Sequence, residues 1–225
     1  MTNQLFFDFY KFETQKFYSP ENFIFFNENL SANNLLNKFF SQNNFLENPY
    51  KSIILGGDNK SGKTHLANIF AQKYSANFLS HPQILNENPL NFFSPNQFYI
   101  LDDFDQIDDY QYLLQLINSA QENCSLLLLV GNLTKKFDLP DLNSRLKNIF
   151  ITQINQTSLE NLQIIFANIL SRKQIFLKKN IIDKIFLKIV PNYANVYFAT
   201  QIIEAYFNQN DEKISLEKIT KFFGN

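Results

Sequence analysis

The sequence predicts an α/β fold in which a parallel five-stranded sheet is wrapped by helices and followed by a small all-α unit. Three observations predict it. Short apolar runs alternate with amphipathic helical stretches between residues 23 and 154. One of these runs, Ile53–Leu55, leads into a glycine loop, GGDNKSGKTHL, that opens a helix. Beyond Thr157 only helical periodicity is left.

Composition bounds the possibilities. With 225 residues, 45% hydrophobic and 18% charged, the chain can bury a substantial core and is not of disordered type. Its formal net charge of −1 and pI near 6.1 predict no sequence-specific DNA binding of its own, although a local basic patch stays open. No apolar run approaches the ~18 residues of a membrane span, and MTNQLFFDFYKFETQ lacks the basic-then-apolar order of a signal peptide. The one cysteine, Cys124, falls in CSLLLLV, which reads as a buried strand, so a cytoplasmic, reducing setting is expected.

In chain order, Phe23–Phe26 reads as a short strand and Ser31–Phe40 as a helix with apolar Leu35, Leu36, Phe39 and Phe40 on one side. Ile53–Leu55 is the strand before the glycine loop, and Gly62 to about Tyr74 is its helix. Ala76–Leu79 is the next strand, and HPQILNENPLNFFSPNQ is a loop with a helical turn. Gln97–Asp103 is an apolar strand ending in two carboxylates. Asp105, Asp108 and Asp109 form a solvated cluster capping a helix from Tyr110 to about Gln121. Ser125–Val130 is a buried strand, LPDLNSRL a short helix and Phe150–Ile154 the last strand. Thr157 and Glu160 make a capping box for the first of the terminal helices, followed by Ile181–Val190, Asn195–Phe207 and Ser215–Phe223. The division that follows is an N-terminal arm, 1–20, an α/β domain, 21–156, and a helical lid, 157–225.

Chemistry concentrates in the glycine loop. Gly57, Asp58, Asn59, Lys60, Ser61, Gly62, Lys63 and Thr64 match GxxxxGK[ST] in full, and three of only five glycines lie in or beside it. Such a loop turns consecutive backbone N–H groups into one cavity at the positive end of a helix, which suits a polyphosphate. Lys63 would bridge the outer phosphates and the Thr64 hydroxyl would hold Mg2+. The loop interior, Asp58–Ser61, has no glycine, which would tighten or distort the cradle. About 40 residues on, Asp102 is placed to hold the same Mg2+ from a strand taken to lie beside the loop strand, and Asp103 to orient or activate water. Asn132, after the next strand, would reach the γ-phosphate or its water. Gln4–Phe9, QLFFDF, is an aromatic run that either packs on its own domain or is carried for a partner's pocket.

Together GKTHLA (Gly62–Ala67), ILDDFD (Ile100–Asp105) and LPDLNSRL (Leu139–Leu146) resemble the DnaA-related AAA+ family of P-loop NTPases. The chain ends where DnaA would continue into a DNA-binding domain, and with QLFFDF at its front it is similar to the Hda-like regulators that inactivate the initiator DnaA. The resemblance implies ADP or ATP with Mg2+ at the loop and DnaA as partner. It implies docking on the DNA polymerase sliding clamp through Gln4, Leu5, Phe7 and Phe9. It also makes Arg145 an arginine finger offered in trans to a neighbour's nucleotide, an arrangement compatible with a homo-oligomer; from spacing alone Arg145 is an exposed helix residue. An arginine that this family carries early in the second lid helix is missing from PNYANVYFATQII, where Val196 takes its place. Its absence argues for at most a weak ATPase that acts by stimulating DnaA. A helicase-loader-like remodeller and a nucleotide-independent adaptor remain as alternatives.

Overall fold

A computed structural model describes residues 18, 20–41, 51–79 and 88–209. The clamp-motif residues Gln4, Leu5, Phe7 and Phe9 and the expected helix Ser215–Phe223 lie outside them. After a 3-10 turn at Pro20–Asn22, the elements are α1 Asn27–Phe40, β1 Ser52–Gly57, α2 Lys63–Tyr74, β2 Asn77–Leu79, β3 Phe98–Leu101 and α3 Tyr110–Glu122. They continue with β4 Leu126–Val130, α4 Pro140–Lys147, β5 Phe150–Ile154, α5 Leu159–Arg172, α6 Lys179–Phe186 and α7 Tyr193–Gln209.

The five strands form one parallel sheet in the order β2-β3-β4-β1-β5. Alternate residues of the central strands enter different cores, as pleating requires. Ile54, Leu101, Leu127 and Leu129 pack with Leu113, Leu116 and Ile117 of α3 on one face. On the other face Ile53, Leu55, Ile100 and Leu128 pack with Leu36 and Phe40 of α1 and Leu66 and Phe70 of α2. Both faces are covered, so β4 has the uninterrupted apolar sequence LLLLV. A third core is shared by α5–α7, built on Leu162, Phe166, Ile169, Phe186, Val196 and Ile203.

Several expectations are corrected. The strand ending in Asp102 is not beside the loop strand: β4 pairs with both and lies between them. Phe23–Phe26 is extended without strand pairing, because its side chains serve two cores: Phe23 packs with α1 and α2, whereas Ile24 and Phe26 pack against the α5–α7 core. The helix that follows starts at Asn27, four residues before the sequence expectation, and Asn29 makes that start by accepting from Phe26 N–H (3.0 Å). Ser158, not Thr157, caps α5, accepting from Asn161 N–H at 3.2 Å. Asp109 caps α3 through Tyr112 N–H at 2.9 Å, but Asp105 is buried and Cys124 sits half-buried in the left-handed turn before β4 (φ 54°).

Candidate nucleotide site

Because every strand points the same way, the carboxyl ends of β1, β3 and β4 bring Gly57, Asp102 and Asn132 to one edge of the sheet, the crevice where α/β folds bind ligands. Within the loop Gly57 (φ 148°) and Gly62 (φ 99°) need glycine, and a Cβ on Gly57 would come within 2.6 Å of Ile154 O. The missing interior glycine is replaced by conformation: Lys60 itself adopts φ 62°. The cradle is kept at the expense of local backbone strain. Gly62 leads into α2 without a side-chain cap, leaving first-turn N–H groups for a ligand.

Lys63 is 7% exposed, and its ammonium donates to Gly57 O (2.9 Å) and Asp58 O (2.8 Å). Burial pushes its pKa down, against the pull of Asp105, Asp102, Asp103 and Asp58. Neutral carbonyls balance such a charge incompletely, so an anion suits this position. The Thr64 hydroxyl donates to the Asp102 carboxylate, which also accepts from Asp103 N–H at 3.0 Å. Burial raises the Asp102 pKa, the Thr64 bond opposes it, and neighbouring Asp103 adds to the rise. Asp103 is exposed and left-handed (φ 51°), starting the 3-10 turn Phe104–Gln106.

The residues fit a magnesium-nucleotide. Ser61 Oγ is buried in the loop without a hydrogen-bond partner among the described residues, an acceptor or donor waiting for a ligand. Among the described residues no group of three or more His, Cys, Asp or Glu could hold a metal alone. One hydroxyl and one carboxylate are what Mg2+ uses when phosphates and water complete its shell.

The C-terminal helices close over this loop. Asp58–Ser61 face Gln156, Thr157, Leu162, Pro191, Asn192 and Tyr193 across a cleft of about 40 Å³. That volume holds a few water molecules. Tyr193, the first residue of α7, shares a 2.9 Å hydrogen bond with Nδ1 of His65, which is 2% exposed on α2. The Phe23 and Tyr18 rings pack edge-on against His65 at 5.1 and 5.6 Å. Burial raises the Tyr18 and Tyr193 hydroxyl pKa values, and Tyr18 also feels Asp102 and Asp103.

Val196 is fully buried in the α5–α7 core, and the residues that face the cleft here are instead Asn192, just before α7, and Tyr193 at its start. Neither they nor His65 stood out in the sequence; the only signal was an aromatic residue just after the Pro191 break. Arg145 is not brought to the cleft. Its Nε and Nη2 donate to Asn118 Oδ1 on α3 at 3.0 and 2.6 Å, beside a separate surface pocket of about 290 Å³ that Asp141, Ser144 and Asn148 also line.

No family model matches the chain, and no curated protein matches it. Solved structures do. Domain III of the Thermotoga maritima replication initiation protein DnaA superposes with a TM-score of 0.71 at 14% identity, covering 90% of this chain and 94% of that one. AMPPCP-bound DnaA from Aquifex aeolicus matches with a TM-score of 0.62 at 18% identity over 82% of this chain and 64% of its own length. The Thermotoga maritima RuvB Holliday-junction branch-migration motor matches at 0.61 and 16%, over 85% and 68%. The fold is thus the α/β AAA+ fold of DnaA domain III and RuvB. No helix of the described residues is long and apolar enough to cross a membrane.

Proposed function

We propose that the chain is a DnaA-related AAA+ regulator of replication initiation. It binds ADP or ATP at Gly57–Thr64 and docks on the sliding clamp through Gln4, Leu5, Phe7 and Phe9. There it stimulates hydrolysis of DnaA-bound ATP. The observation that carries the nucleotide part is the convergence of the buried Lys63, the Thr64–Asp102 pair and Asn132 at one sheet edge beneath a helical cover, in a fold shared with AMPPCP-bound DnaA. The division into arm, α/β domain and lid, at residues 20 and 156, belongs to the same reading.

In this mechanism the backbone N–H groups of the loop and first turn of α2 bind phosphate oxygens, and Lys63 exchanges its two carbonyl partners for them. Thr64 and Asp102 would hold Mg2+, which would neutralise charge on the outer phosphates. Asp103 orients water, and Asn132 donates its side-chain amide toward the terminal phosphate. Asn118 holds the Arg145 guanidinium by two of its N–H groups, leaving the remaining N–H groups for a phosphate of a neighbouring AAA+ subunit. The narrow cleft and the lack of an arginine among the described residues lining it fit a slow ATPase whose main effect is on DnaA.

The test is reconstitution of purified DnaA-ATP, DNA-loaded clamp and this protein. Wild type should accelerate hydrolysis. Arg145→Ala should abolish the acceleration and keep clamp binding, whereas Gln4→Ala with Phe7→Ala should lose both. Stimulation that survives Arg145→Ala would remove the finger from the mechanism, and clamp binding that survives the double change would remove the docking motif.

A further inference from the structure

Asp105 stands out as a buried carboxylate to which the site chemistry above gives no role. It is 6% exposed, and both oxygens are engaged: Oδ1 accepts from Asn132 N–H at 3.0 Å and Oδ2 from Gln106 Nε2 at 2.8 Å. Its main-chain oxygen accepts from the Lys135 ammonium at 2.5 Å, which also pairs with Asp108 at 3.6 Å and lies over the Tyr110 and Phe137 rings. The turn after Asp102–Asp103 is therefore stitched to the loop after β4 by side chain and main chain. The fit has no slack: a Cβ on Gly131 would stand 2.2 Å from Asp105 Oδ1 and 2.8 Å from the Phe104 ring.

This clamp acts on a segment that lies beside the loop strand. Gly131 N–H donates to Leu55 O of β1 at 3.2 Å, and a Cβ on Gly56 would meet Leu133 at 2.4 Å, so the segment around Asn132 lies against the base of the phosphate loop. Asn132 Oδ1 accepts from Thr134 N–H and Thr134 Oγ1, both at 3.0 Å, so the carbonyl oxygen of the side chain is engaged and Nδ2 is its donor. With its own N–H fixed by Asp105 and its Oδ1 by Thr134, Asn132 is held in one orientation.

We propose that Asp105 is a positioning residue that makes the site prefer a nucleoside triphosphate over the diphosphate, by fixing the Gly131–Asn132 backbone so that the Asn132 amide meets the terminal phosphate. The inference rests on nucleotide occupying the Gly57–Thr64 loop.

The experiment is calorimetric titration of the full chain with Mg-ATP and Mg-ADP, with circular dichroism confirming each variant's fold. Asn132→Ala should cut the ATP-to-ADP affinity ratio about tenfold or more, the value of one hydrogen bond to a charged phosphate. Asp105→Ala should lower the ratio by a similar factor with ADP affinity within about twofold, and Asp105→Ala with Asn132→Ala should be no worse than Asn132→Ala alone. Asp105→Asn, which can still accept from Asn132 N–H, should retain most of the ratio. If Asp105→Ala does not fold, Gly131→Ala perturbs the same contact from the other side and should lower the ratio. Equal losses for ATP and ADP, additive losses in the double variant, or an unchanged ratio would each overturn the inference. So would equal affinity of the wild type for the two nucleotides. A wild type that binds neither nucleotide would instead sink the nucleotide reading, and the inference with it.

Discussion

Lys60 offers a sharp test of how the loop is built. It holds φ 62° with an exposed side chain between two glycines, at a position where the loop has no glycine of its own. A residue with a Cβ loses about 1–2 kcal/mol in this left-handed region. Glycine escapes that penalty but gives up about 0.5–1 kcal/mol in unfolded-state entropy. Lys60→Gly should therefore stabilise the ligand-free protein by roughly 0.5–1 kcal/mol, or about 1–4 °C in Tm for a chain of this size. Lys60→Ala is the control, because it removes the ammonium and keeps the Cβ. Urea denaturation at fixed pH, read by circular dichroism, separates the two if the m-values match. Equal stabilisation by both variants would show that side-chain charge is responsible, and destabilisation by Lys60→Gly would refute the strain argument.

Further expectations concern the same crevice. Saturating Mg-ATP at about 100 times its Kd should raise stability by about 2.7 kcal/mol, and Lys63→Met should erase that increment while the protein stays folded. Asp102, with its pKa raised above the ordinary 3.8, favours folding below that value, and the contribution is lost as pH rises through the folded-state pKa. Asp102→Asn should therefore stabilise the ligand-free protein at neutral pH and make little difference in acid; a benefit that grows on acidification would contradict the sign. For wild type, Mg-dependent nucleotide binding should weaken on acidification at a higher pH than an ordinary aspartate would give. Tyr193→Phe removes the bond to His65 and should cost about 1–3 kcal/mol of stability. Stopped-flow binding of a fluorescent nucleotide should become faster in the same variant, and an unchanged association rate would show that this bond does not gate the cleft.

The parts legible in the sequence were those with a strict local requirement. The GxxxxGK[ST] spacing fixed the loop and the start of α2, and β5 ran over the expected Phe150–Ile154 because its flanks break cleanly. Strand order was not legible. The run FYILDD looks the same whether it neighbours β1 or is separated from it by β4, since pairing is decided by crossovers and not by the strand's own residues. Asp105 was misread for a similar reason. In a string of five aspartates between 102 and 109, composition suggests a solvated cluster, and only the contact with Gly131 and Asn132 distinguishes the buried member. Phe23–Phe26 has the apolar density of a strand but divides its side chains between two cores, which periodicity cannot reveal.

On the proposed reading, in which Gln4 to Phe9 engages a partner, Tyr18 would make the chain before it a short leash. Its ring rests on His65 at the root of the phosphate loop, and its hydroxyl feels Asp102 and Asp103. Phe9 precedes it by nine residues, which can span at most about 30 Å when fully extended. A partner that gripped Gln4 to Phe9 would then stand within about one protein diameter of the Gly57–Thr64 loop, and its pull would be felt first by the aromatic packing around His65. Lengthening the leash is thus a different perturbation from cutting it: inserted residues between Phe9 and Tyr18 would leave the grip intact while slackening its pull on the site.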